Sequence, residues 1–358
     1  MPSIPTPISR TPEGSNLEIN TYDIASLIPS TVLTTLRQNS IRTNVVLPLI
    51  EKAVLNDLGE ESFDDEDLWI TCSSVDLEGN STLDLVLSCT RSEMGKYPIF
   101  IVATVPFSQL TFQFLAPRVY NLVLALERAV ISLRRVYSIF APDIIAHLFA
   151  EYWTECTGVA VHDENPYYSA MLSSCTRESF RNRQETRAHE GVRYNLRPAR
   201  YSDLRAVAEL CYGFAAESKP FVLDEAGASK EAQILIRNEQ VWVHETQSGD
   251  KFQPQIACLV AYTRNTPTTA TITKVMTSPS HRGKGCAQRL VRQVCKHLLY
   301  NGKHSVALYV AHNNKPASRV YHNVGFVGLR PTNDIPIEGV ERWSEIGFDQ
   351  SKVELGHW

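Results

Sequence analysis

The densest chemical signal in the chain is the stretch Thr273-Lys274-Val275-Met276-Thr277-Ser278-Pro279-Ser280-His281-Arg282-Gly283-Lys284-Gly285-Cys286-Ala287-Gln288. A strand-like run gives way to a turn with two glycines. A helix follows, with Leu290, Val291, Val294, Leu298 and Leu299 at helical spacing. Such a junction suits an anion, because the N–H groups of a first helical turn have no intrahelical partner and sit at the positive end of the helix dipole. Glycine at 283 and 285 removes side chains that would keep a pyrophosphate away, and Arg282 and Lys284 add positive charge. Two other phosphate loops are excluded. The Walker loop needs Ser or Thr after its lysine, and Lys284 precedes Gly285; the dinucleotide fingerprint needs glycine where Gln288 stands.

The pattern that does fit is R-x-x-G-x-A, carried by Arg282, Gly285 and Ala287. A second segment follows: the strand-like Val306–Val310, then Asn314, 29 residues after Gly285, Tyr321 seven residues later, and Gly325-Phe326. Together these resemble the two signatures of the GNAT superfamily, the acyl-CoA-dependent N-acetyltransferases. The likeness covers roughly residues 190–350, and the layout with a longer N-terminal part is similar to fungal members. The resemblance implies a GNAT fold, acetyl-CoA as cosubstrate, no metal, and direct acetyl transfer to a primary amine on a small molecule or a protein. It also implies that Val275, Met276 and Thr277 bind the pantetheine arm, with a backbone N–H near Met276 stabilising the oxyanion. Arg282, Gly283, Lys284, Gly285, Cys286, Ala287 and Gln288 would wrap the pyrophosphate, and Asn314 would bond the cofactor arm. Tyr321 would protonate the departing thiolate; a phenol with a pKa of about 10 is protonated at neutral pH.

Many family members place a glutamate on the strand before the first signature, but residues 266–280 contain no acid. Candidate bases elsewhere are Glu217, Asp224, Glu225 and His312, or a chain of water molecules. An alternative reading is therefore a GNAT-like protein that binds or senses acyl-CoA and transfers nothing. His281 reads as a surface turn residue, Cys286 as a helix-start packing residue, and Trp242, Trp343 and Trp358 as core or terminal packing. No basic stripe with interleaved aromatics suggests nucleic-acid binding.

Around these segments, periodicity predicts an α/β chain with a mixed central sheet flanked by helices. A leader (1–20) precedes an α/β N-terminal domain (21–172), a polar, basic linker (173–191) and the GNAT domain (192–358). The N-terminal part reads as one helical stretch over 31–58, strands over 67–73, 82–90 and 98–104, and helices over 118–138 and 143–154. It is open to two descriptions, a degenerate second GNAT-like unit or an unrelated accessory domain. No internal repeat stands out. The run Glu60, Glu61, Asp64, Asp65, Glu66, Asp67 reads as a solvated loop.

At 358 residues, 43% hydrophobic and 21% charged, the chain has an ordinary globular composition. Its apolar runs stop short of the ~20 residues of a membrane span, and the leader lacks a signal peptide's apolar core, so the default compartment is the cytoplasm or nucleus. Eight cysteines without C-x-x-C spacing read as reduced thiols. The net charge of −4 divides into −10 over residues 1–185 and +6 over 186–358, which makes the second half the better host for an anionic ligand. The acidic half suggests a cationic acceptor such as a polyamine, an aminoglycoside or a basic peptide.

Overall fold

A computed structural model describes residues 16–57, 67–182, 191–248, 253–329 and 340–357. Residues 1–15 of the leader, residues 60–66 of the acidic run, residues 183–190 of the expected linker and Trp358 lie outside the described residues. The first half contains β1 (Asn16–Tyr22), α1 (Ser30–Gln38), α2 (Leu47–Asp57), β2 (Leu68–Val75), β3 (Ser81–Cys89) and β4 (Ile99–Ala103), then α3 (Phe112–Ala129), β5 (Ser138–Pro142), α4 (Asp143–Thr157) and β6 (Tyr168–Thr176). The second half contains β7 (Val192–Pro198), α5 (Leu204–Ala216), α6 (Glu225–Arg237), β8 (Val241–Ser248), β9 (Gln255–Asn265) and β10 (Thr269–Thr277), then α7 (Cys286–Tyr300), β11 (Ser305–Ala311), α8 (Lys315–Val324) and β12 (Glu341–Gly347). The same succession of strands and helices thus occurs twice, although no repeat is visible in the residues.

These twelve strands form one mixed sheet in the order β1-β2-β3-β4-β5-β12-β6-β11-β10-β9-β8-β7, and a short hairpin of Arg91–Ser92 with Gly95–Lys96 stands apart from it. Each strand of the first half and its counterpart six places later hold mirrored positions. Only β4–β5 and β10–β11 are parallel. The final strands are exchanged: β12 pairs with β5 of the first half, β6 pairs with β11 of the second, and β12 and β6 pair with each other at the centre.

Alternating burial fixes the layers. In β11, Val306 and Leu308 pack in the core with α7 and α8, while Ala307 joins the core of α1 and α2 on the other face. In β8 and β9, Val243 and Leu259 pack against α5 and α6, and their neighbours Trp242 and Val260 face α7. Helices α1, α2, α5 and α6 therefore cover one face and α3, α4, α7 and α8 the other.

Four local expectations differ. Residues 16–20, read as leader, form most of the edge strand β1. The stretch 31–58 is two helices, because residues 39–46 leave the helical path to hydrogen-bond the second half: the Asn44 Nδ2 donates to the Tyr309 hydroxyl at 3.0 Å. Helix α3 starts at Phe112, where the Thr111 side chain caps it, and ends at Ala129, before the 131–138 stretch read as helical. Residues 173–176, read as linker, belong to β6 at the middle of the sheet. Serine gave that strand a loop-like polarity, but Ser173 is buried and its hydroxyl donates to the Val327 carbonyl at 2.6 Å. Among the described residues no helix is long and apolar enough to cross a membrane.

Candidate active site

The site begins where two parallel strands part. β10 and β11 are paired only from Thr269 to Ile272 and from Ser305 to Leu308. Beyond that point β10 continues to Thr277 along β9, so the edge of Lys274–Thr277 that faces β11 carries no ladder to it. Between the pairs Ala261–Lys274 and Tyr262–Ile272 one residue, Thr273, is extra. This bulge turns Lys274 and Met276 toward α5 and α6, while Val275 packs with the α7 core. Met276 lies beneath α5, where a Cβ on Gly213 would come 3.0 Å from its Cε. A cleft of about 390 Å³ opens beside it, lined by Leu210, Gly213, Glu217, Ile256, Met276 and Pro279 among others.

At the end of β10 the chain makes a short turn over Pro279–His281 and enters α7 through Gly283 and Gly285, both at φ +74°. Such a φ strains any residue with a Cβ. Gly285 is the N-cap of α7 and offers no side chain to its first turn. The loop is held from below. The Arg289 guanidinium, with 7% of its residue surface exposed, donates to the Lys284 carbonyl at 2.7 Å and to the His244 Nε2 at 3.2 Å. It also lies 4.9 Å from the centre of the Tyr194 ring, on which His244 stacks. Burial and the adjacent Arg289 charge push the His244 pKa down to about 4, so the ring is neutral and accepts. The corresponding turn of the first half, Thr104–Thr111, has no glycine or basic residue, and the Thr111 hydroxyl already accepts from the Phe114 N–H. An open, glycine-lined helix start exists only in the second half among the described residues.

The remaining motif residues divide between the turn and α8. Thr277 donates to the Cys258 thiol at 3.3 Å, and the Lys284 ammonium to the Ser280 carbonyl at 2.8 Å. The Arg282 guanidinium pairs with Glu217 at 2.5 Å, both half-exposed. Cys286 is buried with its thiol 3.8 Å from Arg289, Ala287 packs on the same core, and Gln288 accepts from the Asn323 amide at 3.2 Å. Asn314 is the N-cap of α8, its side-chain oxygen taking the Ala317 N–H at 3.1 Å. Tyr321, on the next two turns, is buried against Phe326, in the core that also holds Cys258 and Val310. Burial raises its phenol pKa above the ordinary value.

Of the candidate bases, Asp224 caps α6 by accepting from the Gly227 N–H at 2.7 Å, and Glu217 is engaged by Arg282. Glu225 sits in the first turn of α6, and His312 is exposed just past β11. His281 shares hydrogen bonds with Ser278 and Ser280, and Trp242 and Trp343 are buried. The structure brings an unforeseen carboxylate to β10 from elsewhere: Glu231 of α6 binds the Lys274 ammonium at 2.5 and 2.6 Å, over the Phe214 ring. Arg289 and His244 were equally unforeseen. A charged residue on the apolar stripe of α7, one turn after Gly285, was the available signal for Arg289.

Residues 254–333, the stretch from β9 through α8, match the model of a family described as FR47-like protein. No curated protein matches the chain in sequence. Among solved structures, the chain is similar to a Drosophila protein at TM-score 0.55 and 12% identity, over 93% of this chain and 99% of that one. It is also similar to a GCN5-related N-acetyltransferase from Sphaerobacter thermophilus (TM-score 0.49, 14% identity, 94% and 96% covered). A third likeness is to a tandem GNAT protein of the clavulanic acid biosynthesis pathway (TM-score 0.47, 12% identity, 92% and 98% covered). At these identities the likeness is one of fold.

Proposed function

We propose that this chain is a GNAT-type N-acetyltransferase that moves an acetyl group from acetyl-CoA to a primary amine within a ternary complex. The observation that carries the reading is the asymmetry between the halves. The same strand-to-helix junction is capped by Thr111 in the first half and left open by Gly285 in the second, where Arg282 and Lys284 flank it. An uncapped helix start among fixed positive charges is what a pyrophosphate requires. The splayed edge of β10 offers backbone groups to a pantetheine arm, and the match to the FR47-like family covers this same stretch.

In this mechanism residues 282–288 hold the pyrophosphate, with Arg289 keeping the loop in shape from beneath. Val275, Met276 and Thr277 align the arm, and a backbone N–H near Met276, on the splayed edge of β10, polarises the thioester carbonyl. Asn314 contributes through the amide donors that its cap bond leaves over. The amine nitrogen attacks the carbonyl carbon, a C–N bond forms, the C–S bond breaks, and the amine's extra proton leaves through water. Tyr321 gives its proton to the thiolate and regains one from solvent. Its raised pKa suits it to remain a donor at neutral pH.

Asp224 and Glu217 being engaged elsewhere favours a second reading, a protein that binds acyl-CoA without transfer. Amine-dependent release of CoA thiol from acetyl-CoA separates the two. Transfer predicts turnover that falls by about 10²-fold or more in Tyr321→Phe with CoA affinity kept, the usual weight of a proton donor. A folded, CoA-binding wild type that releases no thiol with any amine selects the binder.

A further inference from the structure

The exchange of β6 and β12 builds a second feature, at the seam between the halves, on the face that carries α1, α2, α5 and α6. Phe140 is its hub. Its ring lies 5.0 Å from Tyr309, 5.0 Å from Trp343, 6.3 Å from Tyr168 and 6.3 Å from Phe100. Tyr97 extends the group through Phe100 at 5.7 Å. Arg264, sent across from β9, places its guanidinium 5.7 Å from the Phe100 ring, within electrostatic reach of Tyr97, Tyr168, Tyr309 and Glu345. Glu345 on β12 is 1% exposed and accepts from the Ser138 hydroxyl at 2.7 Å. Tyr97, Tyr168, Tyr309 and Arg264 keep partial solvent access, yet burial raises the pKa of each of these tyrosines. These four partly exposed side chains gather in one cluster at the seam. Tyr309 is the first residue of β11 past the point where β10 parts from it, so the cluster adjoins the splay.

We infer that this cluster forms the acceptor subsite and that it takes an amine bearing both a carboxylate and a flat apolar group, as an aromatic amino acid does. The inference rests on the transferase reading and adds the substrate class to it. The partly exposed rings of Tyr97, Tyr168 and Tyr309 supply flat faces for the apolar group. Arg264 supplies the forked donor that suits a carboxylate, and with five N–H groups it can serve a ligand beside the partner it has. Glu345 attracts the ammonium. The same guanidinium disfavours the polyamine, aminoglycoside or basic-peptide acceptors that the acidic first half alone suggested, since their added positive charges would meet it.

The test combines binding and transfer on the full chain, with L-phenylalanine, phenethylamine and spermidine as probes and Arg264→Gln and Arg264→Lys as variants. Calorimetry should detect L-phenylalanine binding that weakens about 10- to 100-fold in Arg264→Gln, the range of a lost charge-assisted hydrogen bond, and is partly kept in Arg264→Lys. CoA affinity and thermal stability should be unchanged in both variants. In thiol release, L-phenylalanine should exceed phenethylamine in kcat/KM, with the preference lost in Arg264→Gln through KM. Absence of L-phenylalanine binding, a wild-type preference for spermidine or phenethylamine, or equal loss for all acceptors in Arg264→Gln would each overturn the inference. Loss of the transferase reading itself registers separately, as failure to bind CoA.

Discussion

A charged side chain inside the protein is costly unless something answers it, and in this chain the answer is repeatedly a residue distant in sequence. Arg289 is answered by the Lys284 carbonyl and a neutral His244, Lys274 by Glu231, and Arg118 by Asp84 at 2.8 Å. These pairings explain what sequence could and could not reveal of the site. Arg282, Gly285, Asn314 and Tyr321 stand at fixed spacings within one segment and are legible there, whereas His244, Glu231 and Glu345 reach the region only through strand pairing and helix packing. His244 yields a pH prediction. Its folded pKa of about 4 lies below the ordinary 6.5, so the unfolded chain binds the extra proton between those values and stability falls as pH drops through that window. The loss amounts to about 3 kcal/mol, nearly complete by pH 4. Urea unfolding at several pH values should therefore give a flatter acid slope for His244→Gln, which keeps an acceptor for Arg289 without titrating. Identical slopes would show that this ring is not responsible.

At the scale of elements, most strands and helices follow from periodicity, and the misses have definite causes. β6 was hidden by its serines, which satisfy their polarity through bonds such as that of Ser173 to Val327. Helices α1 and α2 merged because Val45, fully buried in the connection between them, continues the apolar spacing of Leu33, Leu36, Leu49 and Val54. The junction into α7 was legible because it depends on glycine. Its demand can be measured: with φ at +74°, Gly285→Ala should cost about 1–2 kcal/mol of unfolding free energy, the strain of a Cβ in the left-handed region. Equal denaturation midpoints for variant and wild type would mean that the turn relaxes without strain.

For the whole molecule, neither the repeated order of elements nor the exchange of β6 and β12 could be read from the chain, because different residues meet the same burial pattern in the two halves. The exchange ties the halves into one sheet whose central pairs all cross between them. Thermal unfolding should accordingly be a single calorimetric transition, with calorimetric and van't Hoff enthalpies in agreement. Two resolved transitions would contradict that coupling. The central claim is that the second half alone carries an acyl-CoA site at Gly285, and titration calorimetry with acetyl-CoA and with CoA tests it most directly. One site per chain at micromolar affinity, abolished in an Arg282→Ala, Gly285→Glu variant of unchanged melting temperature, is the result expected. Folded wild-type protein that binds neither ligand, or a variant that binds as well as the wild type, would contradict it.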